Sequence, residues 1–278
     1  MLELAGPNRR LTIIRAGLNK GTAVGNRVAG RVAVITGSSG GMGEGIARAL
    51  AAEGAAVVIS GRRLDQCERV ASEINQRGGQ AIFTQADVAR EADCVNLIRK
   101  AAEAFGRLDI LINNAAITPV EPTLEVSAEM WDQVFAVNVR GAFICCREAI
   151  PLMRQIQGGS IINIGTTLAY SGAADRLAYS CSKAALLSLT KTLAKECAAD
   201  QIRVNWITVG WVATPGEVDL RNQTHGDGKA YLEVMAKHAP MGRLENVEEI
   251  AAGVLYLVSD EASHVVGCEL NISGGLRL

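Results

Sequence analysis

The 278-residue chain is 49% hydrophobic and 21% charged, with a formal net charge of −1, so it can bury one large core. Its near-neutral balance gives no basis for a nucleic-acid or membrane-surface partner, and no apolar run approaches the ~18 residues that cross a bilayer. Seven cysteines without a CxxC, Cys145 and Cys146 adjacent, and three scattered histidines (His225, His238, His264) suit neither a disulfide framework nor a metal site. They read as small buried thiols in a reducing, cytoplasmic compartment and as surface or loop imidazoles.

Residues 1–30 carry Arg9, Arg10, Arg15, Lys20 and Arg27 against the single acid Glu3, and Gly6, Pro7, Gly17, Gly21 and Gly25 interrupt any amphipathic helix. This stretch reads as a basic, mobile N-terminal tail, and 31–278 as one domain. Residues 31–45, RVAVITGSSGGMGEG, give a β-branched strand, a glycine-rich turn and the start of a helix predicted over 46–53. Glycines let the backbone approach a pyrophosphate, and a helix N-terminus offers free N–H groups and a positive dipole end. The next strand, 55–60, ends in Gly61, Arg62 and Arg63. An acid there would bind a ribose 2'-hydroxyl. Two adjacent guanidiniums suit a 2'-phosphate, which favours NADP(H), with NAD(H) possible.

A helix over 64–77, a strand ending at Asp87 and a helix over Glu91–Phe105 continue the alternation, which predicts a parallel sheet with helices on both faces. The fourth strand ends in Asn113, Asn114 and Ala115, at the carboxyl edge where such sheets bind ligands. Asn138 lies among Trp131, Phe135, Val139 and Phe143, and composition alone reads it as a hydrogen-bonded core amide. The stretch from Pro215 to about Met241 is polar and glycine-dotted, and reads as an irregular lid over a substrate. Its mixed charges, Arg221, Lys229 and Lys237 against Glu217, Asp219, Asp227 and Glu233, favour no substrate class. A helix over 247–259 and a strand over Glu269–Ile272 close the chain.

Residues 161–191 organise the rest. Tyr179 and Lys183 stand four residues apart on one predicted helix, so their side chains share a face. A free phenol has a pKa of about 10, and a neighbouring cation favours its ionised form. With a hydroxyl beside it, here Thr166, such a phenol can bind a carbonyl oxygen and pass it a proton.

In this order and spacing, TGSSGGMG, Asp87 with Val88, NNAA from Asn113, Asn138, Tyr179 with Lys183, and GWVAT from Gly210 resemble the short-chain dehydrogenase/reductase family over residues 31–275. The resemblance implies a single Rossmann-type, doubly wound α/β domain with a parallel sheet of about seven strands. It also implies a homotetramer or homodimer that moves a hydride between NAD(P)(H) and a small alcohol or carbonyl. Carried over by motif, Tyr179 is the proton donor or acceptor, Lys183 lowers its pKa and holds the nicotinamide ribose, and Asn138 orders a relay water. Gly37, Ser39, Gly41, Met42 and Gly43 surround the pyrophosphate, with Asp87 and Val88 at the adenine and Asn113 and Ala115 on the adenosine side. Arg62 and Arg63 meet the 2'-phosphate, and Gly210, Val212 and Thr214 reach the nicotinamide. Three positions depart from the pattern, of which Ser273, standing before Gly274 and Gly275 where an aspartate is common, implies nothing catalytic. Thr166 replaces the usual serine, with Thr167 as a stand-in, and Val209 replaces a proline, which is expected to loosen that turn. The implied activity is that of a 3-oxoacyl-reductase-like carbonyl reductase. The alternatives are a sugar or polyol dehydrogenase and a catalytically inactive nucleotide-binding protein.

Overall fold

A computed structural model describes residues 26–277. Seven strands form one sheet: β1 (Val32–Ile35), β2 (Ala56–Gly61), β3 (Gln80–Gln85), β4 (Ile110–Asn113), β5 (Gly159–Ile164), β6 (Ile202–Val209) and β7 (Glu269–Ile272). Their order is β3-β2-β1-β4-β5-β6-β7, and every adjacent pair is parallel. The alternating pattern predicted this fold class, and the strand composition shows why. All residues of β1, β2, β4 and β6 are buried, as expected for strands covered on both faces.

Ten α-helices lie among the described residues: α1 (Gly41–Ala52), α2 (Leu64–Gln76), α3 (Glu91–Phe105), α4 (Ala128–Phe135), α5 (Gly141–Gln155), α6 (Leu168–Ser171), α7 (Leu177–Cys197), α8 (Pro215–His225), α9 (Gly228–His238) and α10 (Val247–Val258). One face of the sheet is covered by α1, α2 and α10, through Ile46, Leu50, Val70, Ile250 and Val254 against Ile35, Ile59 and Ile112. The other is covered by α3, α5 and α7, through Leu97, Ile144, Met153 and Ala194 against Val34, Val58 and Leu111. The strand order reverses direction between β1 and β4, which opens a crevice at the carboxyl edge where such sheets take ligands.

Three expectations need correction. Residues 1–25 of the predicted tail lie outside the described residues, but 26–30 are packed: Val28 is buried, its N–H donates to the Glu53 carbonyl at 3.2 Å, and Arg27 pairs with Glu261 at 2.7 Å. The helix expected from residue 46 begins at Gly41, because the glycines form its first turn. The stretch from Pro215, read as irregular, is a helical hairpin. Thr214 caps α8 by accepting from the Glu217 N–H, with Pro215 in the first turn, and Asp227 caps α9 by accepting from the Ala230 N–H. Gly226, at φ 84°, makes the turn between them.

Candidate active site

The end of β5 turns through Gly165 into Thr166, and this turn is tightly packed from below. A Cβ on Gly165 would fall 1.9 Å from the Trp206 indole, so only glycine lets β6 carry that ring under the turn. Thr166 is buried, and its hydroxyl lies beside the Tyr179 phenol on α7. Burial pushes that phenol up to about 12, while the Thr166 hydroxyl and Arg176 pull the other way. Of the two threonines, Thr166 is the one beside the phenol; the half-buried Thr167 ties the turn to β6 through its N–H, which donates to the Val209 carbonyl at 3.1 Å.

Lys183 does not act on the phenol through a direct bond. Its Nζ is 5.8 Å from the Tyr179 ring centroid and donates to the Ile164 carbonyl at 2.7 Å. Burial pulls its pKa down to about 8. For the phenol, burial outweighs the Thr166 hydroxyl and the Arg176 charge, so its pKa is raised where the spacing suggested lowering.

Asn138 sits in a π-helical turn, Ala136–Arg140, between α4 and α5, a distortion often found at functional sites. Its amide is fully used. Nδ2 donates to the Ile117 carbonyl and to Ser182 Oγ, each at 3.0 Å, and Oδ1 accepts from the Ile117 N–H at 2.9 Å. Ser182 Oγ donates in turn to the Tyr179 carbonyl at 2.7 Å. Asn138 thus couples the loop after β4 to the Tyr179 turn of α7. Ser182 escaped the sequence reading, although its place one turn after Tyr179 on the same helix face was the available signal.

The residues around the glycine loop divide by role. Gly37 and Gly43 are demanded by packing: a Cβ on Gly37 would lie 2.9 Å from the Ala115 Cα, and one on Gly43 2.4 Å from the Gly37 carbonyl oxygen. Gly40 and Gly41 face more open space. The site Gly41 leaves for a Cβ is 3.8 Å from Thr214, Gly41 has φ +56°, and no side chain caps α1. An open glycine edge at an uncapped helix N-terminus fits a dinucleotide pyrophosphate. Arg62 and Arg63 are both exposed, and Arg63 Nη2 comes within 3.6 Å of the Cβ site of Gly40. Ser39 is buried under Gly61, whose missing Cβ would lie 2.7 Å from Ser39 Oγ, and Met42 packs on the core.

Asp87 is half-buried, and its Oδ1 accepts from the Ala89 N–H at 3.0 Å, while Val88 packs against Gly141. Asn113 does not turn toward the adenosine side. It is buried, and its Nδ2 donates to Asn163 Oδ1 at 2.8 Å across the β4–β5 register. Its neighbour Asn114 binds the glycine loop instead, with Nδ2 donating to the carbonyls of Thr36 (2.9 Å) and Gly37 (3.1 Å), while the Ala115 N–H donates to Thr36 Oγ1. The turn after Val209 is not loose either. Buried Glu245 accepts from the N–H groups of Gly210 (2.9 Å) and Trp211 (3.2 Å), and Val212 is buried and bridged to Glu245.

Above the phenol, α8 and α9 bring together Trp211, Glu217, Arg221 and Tyr231. Glu217 Oε1 accepts from Trp211 Nε1 (2.8 Å) and Arg221 Nε (2.7 Å), and the Arg221 guanidinium stacks over both aromatic rings. His225, His238 and His264 are exposed, and His225 rests against Tyr231 with ring centroids 3.9 Å apart. Five of the seven cysteines are buried; Cys181 and Cys268 are half-buried. Among the described residues no cluster of three His, Cys, Asp or Glu could hold a metal ion, and no helix is long and apolar enough to cross a membrane.

A family model described as enoyl-(acyl carrier protein) reductase matches residues 37–277. The chain belongs to the short-chain dehydrogenase/reductase family. A cis-4-hydroxycyclohexanecarboxylate dehydrogenase from Sinomonas cyclohexanicum is 37% identical over 253 residues, 91% of this chain and 98% of that one. A 7alpha-hydroxysteroid dehydrogenase from Clostridium sardiniense is 35% identical over 91% of this chain and 95% of its own length. The crystal structure of L-sorbose reductase from Gluconobacter frateurii, complexed with NADPH and L-sorbose, superposes with a TM-score of 0.85 at 34% identity, covering 90% and 97% of the two chains. Family membership makes this an NAD(P)-dependent oxidoreductase acting on alcohols or carbonyls.

Proposed function

We propose that the chain transfers a hydride between NADP(H) and a compact ketone or secondary alcohol, with Tyr179 as the proton donor and acceptor. One observation carries this reading: the buried Thr166 hydroxyl lies beside the half-buried Tyr179 phenol at the carboxyl edge of the sheet, with the buried Lys183 one helical turn on. The exposed guanidiniums of Arg62 and Arg63, the latter beside Gly40, support the choice of NADP(H). Bound there, the cofactor would supply the hydride in reduction and accept it in oxidation.

The chain's own part is to hold the substrate oxygen and move a proton. A phenol with a pKa near 12 is protonated at neutral pH, so it can donate to the oxygen of a carbonyl under reduction while Thr166 donates a second hydrogen bond. In oxidation the same phenol must first lose its proton, so that direction should accelerate with rising pH while reduction stays nearly flat around neutrality. The relatives named for a hydroxycyclohexane acid and for L-sorbose favour a compact substrate over a thioester with a long carrier arm, which was the first expectation.

The test pairs cofactor titrations with turnover over a panel of ketones, 3-oxoacyl thioesters and sugars. NADPH should bind more tightly than NADH. Tyr179→Phe should keep cofactor affinity within about twofold and lose 10²–10⁴-fold in turnover, the usual worth of a positioned acid. Comparable turnover by the variant would remove Tyr179 from the chemistry. Tight binding without turnover of any substrate would favour an inactive nucleotide-binding protein.

A further inference from the structure

We propose that Arg176 anchors a carboxylate carried by the substrate, which narrows the reaction to compact hydroxy acids and their oxo-acid counterparts; this rests on the hydride-transfer reading above. Arg176 directly precedes α7 and lies three residues before Tyr179, so the two side chains share the first turn and one face. It is 7% exposed, among the most buried cations of the chain. A buried guanidinium normally meets a carboxylate. Here the nearest is Asp175, whose Oδ2 is 3.7 Å from Nε, beyond hydrogen-bond distance, and whose side chain is 55% exposed.

Among the described residues one guanidinium nitrogen of Arg176 is hydrogen-bonded. Nη1 donates to the Thr118 carbonyl (3.0 Å) and to Thr118 Oγ1 (2.8 Å). Among the described residues Nε and Nη2 make no hydrogen bond, and neither is sealed from open space. These two form the adjacent edge of the guanidinium that matches a carboxylate through two parallel bonds.

The carboxylates nearby leave this edge without a bidentate partner. The charged or titratable groups acting on Arg176 are Arg221, Asp175, Glu217 and Tyr179. Glu217 is committed to Arg221 and to the Trp211 indole, and Arg221 is held between Trp211 and Tyr231. Burial, then the neighbouring Arg221 charge, lowers the Arg176 pKa, the field expected where a positive site waits for an anionic ligand. A purely structural arginine, pinning the Thr118 loop, would need no more than the Nη1 bonds and would gain nothing from a second guanidinium close by.

The experiment compares compact oxo acids with their methyl esters in NADPH-dependent reduction. The wild-type chain should favour acid over ester about tenfold to a hundredfold in kcat/KM, the effect residing in KM, as for a charge-assisted bidentate contact. Arg176→Gln should collapse that ratio toward one, and Arg176→Lys, which keeps the charge without the fork, should fall between. Loss of stability or of loop position would lower acid and ester together and leave the ratio standing. A ratio that survives Arg176→Gln, or a wild-type preference for the ester, overturns the assignment. If nothing is reduced, calorimetric titration with the oxo acids separates the two readings. Saturable binding by wild type that is lost in Arg176→Gln keeps the anion site and removes the hydride-transfer reading, whereas no binding by wild type removes the anion site. If Arg176→Gln does not fold, Arg176→Lys carries the comparison.

Discussion

Lys183 holds a buried ammonium with one hydrogen-bond partner among the described residues, the Ile164 carbonyl at 2.7 Å, and that choice costs stability. A pKa lowered by burial from 10.5 to about 8 corresponds to about 3 kcal/mol at 1.36 kcal/mol per pKa unit. The sign follows from proton counts. Below pH 8 the lysine is protonated in both folded and unfolded chains, and the full cost is present. Between about 8 and 10.5 the folded chain has released its proton while the unfolded chain keeps it, so stability from this group rises with pH until the cost is gone. Lys183→Met removes the charge but orphans the Ile164 carbonyl, at about 1–2 kcal/mol. The variant should therefore be more stable than wild type by about 1–2 kcal/mol at pH 7 in urea unfolding, lose that advantage near pH 10, and have no turnover. A variant less stable than wild type at pH 7 would mean that the ammonium is better compensated than its single bond suggests. The spacing of Tyr179 and Lys183 made the pair legible in the sequence. Its enclosure was not, because burial depends on strands and loops far away in the chain.

At the scale of elements, the turn that follows β6 shows how a missing local signal is replaced by a distant residue. Val209 cannot fix its φ as proline would, so the chain closes the turn with the buried carboxylate of Glu245, 35 residues on from Gly210, which takes two backbone N–H groups. Burial raises the Glu245 pKa, and the bonds from Gly210 and Trp211 oppose that rise. Glu245→Ala would leave the Trp211 N–H unpaired and the Gly210 N–H with only its 3.3 Å bond to the Ile272 carbonyl, and should cost about 1–3 kcal/mol in denaturant unfolding. Glu245→Gln, which keeps one acceptor oxygen, should cost about half as much. Equal losses would show that the negative charge, rather than acceptor count, holds the turn. No local pattern marks Glu245, so sequence reading passed it over. The α8–α9 hairpin was missed for a different reason. Its caps, Thr214 before Pro215 and Asp227 before Gly228, were visible, but its polar composition outweighed them. Asn113 faces the core and Asn114 the glycine loop because a strand's last residues alternate in direction, and composition does not say which of two neighbouring amides turns inward.

At the scale of the molecule, the fold was the most legible feature, since continuous apolar strands alternating with amphipathic helices admit few topologies. The order of the strands puts the glycine loop after β1 and the Asn114 loop after β4 on either side of the reversal point, with the Thr166 turn next to them on β5. Segments from β1, β2, β4, β5 and β6 therefore converge on one edge, and a dinucleotide held there by the native chain and not by the unfolded one stabilises the whole fold by mass action. At a hundredfold excess over Kd that is about 2.7 kcal/mol. For a chain of this size each kcal/mol moves Tm by about 2–4 °C, so NADPH should raise Tm by about 5–11 °C. Replacing both Arg62 and Arg63 by alanine should weaken NADPH binding about tenfold to a hundredfold, the worth of charge-assisted phosphate bonds. The shift at the same NADPH concentration should then shrink to about 3–6 °C for a tenfold loss or about 1–2 °C for a hundredfold loss, while the smaller shift produced by NADH stays as it was. Thermal scans with the two cofactors check this directly. Equal wild-type shifts for NADPH and NADH, or a double variant whose NADPH shift is undiminished, would show that the exposed guanidiniums of Arg62 and Arg63 do not read the 2'-phosphate.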